Sequence, residues 1–203
     1  MTSAPEQLTF TTHAEGPSVS ESGRMVYVSE SLSTNLWSIP IDTNRAQVMG
    51  DRQKLTQVED FQDKYPSLSR DGKMVAFFSA DNLVVKNLVT GRETQLAQGG
   101  DSEAAASISP DGSLVVQYHF HHYGSDCDLY SISTSGGRPR RPVCRECGDP
   151  KGFSSDGARV LTQRGYLSGG LDRIALVNVA TGKVTDVLSD PQHSLWHPYY
   201  SLG

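Results

Sequence analysis

Apolar and polar positions alternate in short bursts along this chain. Lys73–Ser79, Leu83–Leu88 and Arg92–Ala97 are runs of six or seven residues rich in β-branched, aromatic or other apolar side chains, each preceded by Gly or Asn. Runs of that length between turn-forming residues predict strands joined by tight connections. The Asp71-Gly72 and Thr90-Gly91 pairs supply the turns, because Gly tolerates positive φ and an Asp side chain can bond the turn backbone. No segment carries a capped apolar stripe at 3.6-residue spacing, so the chain reads as all-β. The longest unbroken apolar run, Met74–Phe78, is far below the roughly 18 residues of a membrane span.

The bursts repeat. Tyr65–Phe77 and Ala106–Val116 share a Ser-x-Ser-x-Asp-Gly core followed by apolar residues, and Gly16–Val28 and Gly152–Leu161 are weaker copies. Their anchoring glycines, Gly23, Gly72, Gly112 and Gly157, lie 49, 40 and 45 residues apart. A second marker follows in each unit: Asp42-Thr43-Asn44, Thr90-Gly91, Gly136-Gly137 and Thr181-Gly182. A period near 45 residues with four short strands per unit predicts a β-propeller of four-stranded antiparallel blades. The units are expected at about 14–60, 61–100, 101–145 and 146–190, with a partial fifth at 191–203. Inner strands should begin near Pro17, Pro66, Ser107 and Gly152, and the turns should rest on Asp71, Gly72, Asp111, Gly112, Asp156 and Gly157.

The repeat resembles the TolB-type, WD-like β-propeller family. The resemblance rests on Pro66-Ser67-x-Ser69-x-Asp71-Gly72 with Ala76-Phe77 behind it, on Asn35-Leu36-Trp37 and Asp128-Leu129-Tyr130 as third strands, and on Lys54-Leu55-Thr56 as a closing strand. It covers essentially the whole chain. Ser22 stands where the other copies have Asp, and the fourth copy lacks the Pro two residues before Ser154. Gln7–Phe10 looks like the last strand of an earlier blade and Trp196–Gly203 like the first strand of a later one. That pattern reads as a piece of a larger propeller, whose open blade ends invite self-association.

Charge and chemistry narrow the function. Eighteen Lys and Arg against 23 Asp and Glu give a net charge of −5, which argues against a large nucleic-acid surface. The first residues have neither the basic flank nor the apolar stretch of a signal peptide, and compartment stays open. Three cysteines are too few for a disulfide scaffold. No nucleophile elbow, zinc-protease motif, Walker loop or dinucleotide loop occurs; in Gly165–Gly169 the Ser falls one place too late.

Two clusters could hold a metal. His119 and His121 share a strand face, with His122 opposite and Asp126 able to return across the hairpin. Cys144-x-x-Cys147 could be half a zinc site or a redox pair, with Cys127 as a third thiolate, or a structural loop with buried thiols or a local disulfide. The structural reading is the expectation for both, and no cofactor is expected. Arg138, Arg140 and Arg141 form a solvated basic cluster that could meet an acidic peptide or a phosphate. Trp37 and Trp196 are expected in the core.

The resemblance implies a non-catalytic platform that binds a protein, peptide or other ligand, as a sensory or scaffold part of a larger regulatory protein. Two other readings remain: the propeller lid of a prolyl-oligopeptidase-type serine peptidase, and a metal-binding propeller built on the His119/His121 cluster.

Overall fold

The computed structural model describes residues 14–19, 25–29, 34–42, 44–57, 63–80, 82–97, 106–119, 127–165, 172–193, 195, 198 and 200. Among them there is no helix, and the chain divides into two units, residues 1–63 and 64–203.

In the first unit β1 (Ala14–Val19) pairs with β2 (Met25–Ser29). Its second half is a hairpin interrupted midway. Strand β3 (Trp37–Ser38) pairs with β6 (Gln53–Lys54), and β4 (Ile41–Asp42) with β5 (Gln47–Val48). Pro40 sits at the break; it has no N–H to give the ladder, and its carbonyl accepts the Met49 N–H at 2.8 Å. Among the described residues this unit therefore has three two-stranded pairings instead of the expected four-stranded blade. At the β4–β5 turn the Asp42 carboxylate accepts the N–H groups of Asn44 and Arg45. Ala46 takes the left-handed place, φ 51°, that glycines fill in the other second turns.

The second unit is regular. Strands β7 (Asp63–Leu68), β8 (Met74–Ser79), β9 (Asn82–Asn87) and β10 (Glu93–Ala97) form one antiparallel sheet. The next sheet contains β11 (Ala106–Ile108), β12 (Leu114–His119), β13 (Asp128–Ser133) and β14 (Arg141–Cys144). The third contains β15 (Asp149–Phe153), β16 (Arg159–Arg164), β17 (Arg173–Asn178) and β18 (Val184–Ser189). These are the second, third and fourth blades, and each inner strand starts within three residues of its expected position.

The alternation of each strand divides its side chains between two neighbours. Ala76, Phe78, Leu83 and Val85 of the second blade pack on Ala106, Ile108, Val115 and Ile132 of the third. Val116 and Leu129, on the third blade's other face, pack on Val160 and Val177 of the fourth. The apolar cores thus lie between blades. Backbone groups join them as well: Ser67 Oγ accepts the Ile108 N–H at 3.1 Å, and the Arg70 N–H donates to Pro110 O at 3.0 Å.

One turn recurs with nearly constant geometry. Ser69 Oγ donates to Asp71 Oδ1 (2.7 Å), the Lys73 N–H donates to the same oxygen, and the Met74 N–H donates to Ser69 Oγ. Ser109 with Asp111 and Ser154 with Asp156 repeat this set, with Gly72, Gly112 and Gly157 at φ near +70°. The corresponding turn of the first repeat, at Ser22-Gly23, lies outside the described residues.

Candidate functional site

Antiparallel order sorts the connections into two kinds. The Ser-x-Asp-Gly turns and the second hairpin turns, at 88–92, 134–140 and 179–183, lie together at one end of the blades; all are tight except the seven-residue 134–140 loop, and the short β8–β9 turn lies at the other end. The opposite end carries the longer β12–β13 and β16–β17 connections and the links from one blade to the next. Functional residues of β-proteins concentrate on such loops, because their side chains are not committed to a core.

The described strand ends bordering those connections are strongly polar. Arg164 and Arg173 stand directly opposite each other on β16 and β17, a like-charge pairing that alone would be unfavourable. Asp186 of β18 bridges them, its two oxygens each 3.2 Å from one guanidinium. Arg164 Nε also donates to Glu146 O at 3.2 Å, which ties the fourth blade to the loop entering it. Glu146 is at φ 48°, an uncommon conformation for a residue with a Cβ. The buried Asp128 carboxylate holds it there by accepting its N–H at 2.8 Å. A second buried carboxylate, Asp172, accepts the Leu195 N–H at 2.9 Å, and Gln163 Nε2 donates to Leu195 O at 2.7 Å. The result is a rim of guanidinium, carboxylate and backbone groups fixed in place by strands. Such groups are suited to orienting a peptide or polar ligand.

Gly148 closes this end against its neighbour. A Cβ there would sit 2.2 Å from Gln163 O and 2.7 Å from Arg164 Cγ, and its φ is +90°. Only Gly lets the inter-blade link pass.

Among the described residues the metal candidates do not converge. His119 ends β12, with its ring edge-on to Tyr130 at 6.1 Å between centroids. His121, His122 and Asp126 lie outside the described residues. Cys144 and Cys147 are joined by a disulfide, so in this form they offer no thiolate pair to a cation, and Cys127 is a buried thiol. Among the described residues no three His, Cys, Asp or Glu side chains form a group able to hold a metal. Trp37 is corrected outright: it is 51% exposed, with Arg52 Cζ 4.9 Å from its ring centroid, because the shortened β3–β6 pairing leaves that side chain on the surface. Trp196 lies outside the described residues. Arg138, Arg140 and Arg141 are exposed on the β13–β14 hairpin, and Arg140 stacks on Tyr130 at 4.5 Å.

A cavity of about 290 Å³ opens on the fourth blade, lined by Arg159, Leu176, Asn178, Lys183 and Thr185. In register it belongs to the face that carries Leu161, opposite the Val160/Val177 face. The equivalent face of the third blade is covered by a neighbour, so this hollow has the character of a blade-packing surface.

Sequence reasoning missed two turn residues with a readable signal. Asn87 and Asn178 stand four residues before Gly91 and Gly182, and each Oδ1 accepts two turn N–H groups, as Asp42 does in the first repeat.

No family model and no curated protein matches the chain. Solved structures do. The chain is similar to TolB from Acinetobacter baumannii, with a TM-score of 0.57 and 17% identity over 85% of this chain and 48% of that one. It is similar to a chain of a nidogen/laminin complex, with a TM-score of 0.61 and 8% identity over 79% of this chain and 60% of that one. For oligogalacturonate lyase from Vibrio parahaemolyticus the TM-score is 0.50, with 17% identity over 77% and 47%. The chain spans about half the length of the solved proteins it matches, 60% in the nidogen/laminin case. What this similarity establishes is the fold, a TolB-like β-propeller.

Proposed function

We propose that this chain is a non-catalytic binding module, which recognises a protein or peptide partner at the loop-bearing end of its blades. In this reading it is the sensory or scaffold part of a larger regulatory protein. The supporting observation is the contrast between the two ends. At the turn end, side chains satisfy their own backbone, as Asp71, Asp111 and Asp156 do. At the other end the Arg164–Asp186–Arg173 bridge, Glu146 and the Asp128 contact form a preorganised polar rim. Preorganised groups lower the ordering cost of binding, and arginine is well suited to carboxylate and backbone-carbonyl recognition. The chain of the nidogen/laminin complex, a structural neighbour, comes from a structure with a protein partner.

The test is selection of peptides from a random library on the immobilised chain, followed by charge reversal at each end. Arg173→Glu should weaken the selected peptides by about tenfold or more, whereas Arg92→Glu at a turn should leave them within about twofold. Peptides that respond to Arg92→Glu and ignore Arg173→Glu would reverse the assignment.

A further inference from the structure

All three cysteines of the chain meet at one corner of the third blade. Cys127 precedes β13, Cys144 ends β14, and Cys147 lies in the link to β15. The N–H groups of Cys147 and Gly148 both donate to Cys127 O, at 2.9 and 3.1 Å. Standard bond lengths then keep the Cys127 and Cys147 Cα atoms within about 6.8 Å of each other, inside the span that disulfides bridge. Cys147 packs with Val116 and Leu129, and Cys144 packs against that same cluster. Cys127 is buried at 1% exposure. Backbone spacing therefore leaves a second pairing geometrically open to the Cys127 thiol.

We propose that the trio is a thiol–disulfide exchange pair with two states. Cys127 loses its proton and its thiolate attacks Cys147 Sγ. The Cys127–Cys147 bond forms as the Cys144–Cys147 bond breaks, and the electron pair leaves on Cys144 Sγ, which takes up a proton. No oxidant or reductant is consumed, because one disulfide replaces another. The consequence is positional. The thiol moves from Cys127, 1% exposed, to Cys144, which is partly exposed at the end of an edge strand that begins at Arg141 and is followed by Arg145. Neighbouring cations favour a thiolate, so in the second state Cys144 becomes a site for modification by small thiol-reactive molecules or low-molecular-weight disulfides. Exchange also removes the covalent bracket around Glu146 and staples the start of β13 to the following link, which alters the same rim described above.

The experiment holds the native chain at about pH 8, where thiolates form, with iodoacetamide and no added thiol. Remaining thiols are capped with N-ethylmaleimide in denaturant before trypsin digestion. Cleavage after Arg145 separates Cys144 from Cys147. The proposal predicts carbamidomethyl groups on Cys144 accumulating with time, with Cys127 and Cys147 recovered as one linked pair. In Cys127→Ala, whose fold is checked by circular dichroism, that labelling should slow by about tenfold or more. A Cys144→Ser chain oxidised with diamide should contain a Cys127–Cys147 disulfide. Cys144 that stays unlabelled in the wild type, labels equally fast in Cys127→Ala, or labels only together with Cys147 would overturn the exchange. So would two surviving thiols in oxidised Cys144→Ser.

Discussion

Gly182 and Gly91 show how much of this protein rests on single residues. They occupy the same place in the second-turn motifs of the fourth and second blades, at φ +70° and +75°, yet they differ in what surrounds them. A Cβ on Gly91 would meet nothing within 4 Å, whereas one on Gly182 would lie 2.2 Å from Val143 O of the third blade. Gly91→Ala should therefore cost about 1–2 kcal/mol, the left-handed penalty alone. Gly182→Ala should cost more than about 3 kcal/mol, because the fourth blade must back away from the third. Urea unfolding of the two variants checks the difference, and equal losses would contradict the blade packing described here. The sequence shows the two glycines as equivalent. Only the contact with Val143 separates them, and that contact joins residues 39 apart in the chain. Gly148 is hidden for the same reason, since its need for a bare Cα comes from Gln163 O on the adjoining strand β16, 15 residues along the chain.

The Ser-x-Asp-Gly turn is the element most fully written in the sequence, because all its partners lie within five residues of one another. Asp71, Asp111 and Asp156 are each held below the usual carboxylate range, first by the serine hydroxyl that donates to them and then by a turn N–H. A carboxyl group with a lowered folded pKa binds fewer protons folded than unfolded, so its contribution is present above the unfolded value of about 3.9 and is lost as pH falls through the folded one. The urea midpoint should drop as pH falls from about 5 to about 2. Asp111→Asn should flatten that drop, and an unchanged pH slope in the variant would show that the turn carboxylate is not responsible. These groups are exposed, so the direction of the effect is the firm expectation. The outer hairpin of the first repeat was far less legible. Its repeat marker was correctly placed at Asp42–Asn44, but the interruption at Pro40 and the exposure of Trp37 follow from a ladder too short to bury that ring.

At the scale of the whole molecule, fold and function were legible to different degrees. Blade architecture follows from a repeat whose turns recur along the chain and whose alternating strands must bury both faces. The polar rim does not repeat. Arg164, Arg173 and Asp186 come from three strands, and Asp128 meets Glu146 across 18 residues, so no local motif announces them. The central claim, that recognition belongs to the loop-bearing end, is tested most directly by hydrogen exchange with and without a library-selected peptide. Protection should appear in peptides containing His119, Asp128, Glu146, Arg164 and Arg173, while those spanning Asp71, Asp111 and Asp156 exchange as before. Protection confined to the Ser-x-Asp-Gly turns, with the strand ends unchanged, would contradict it.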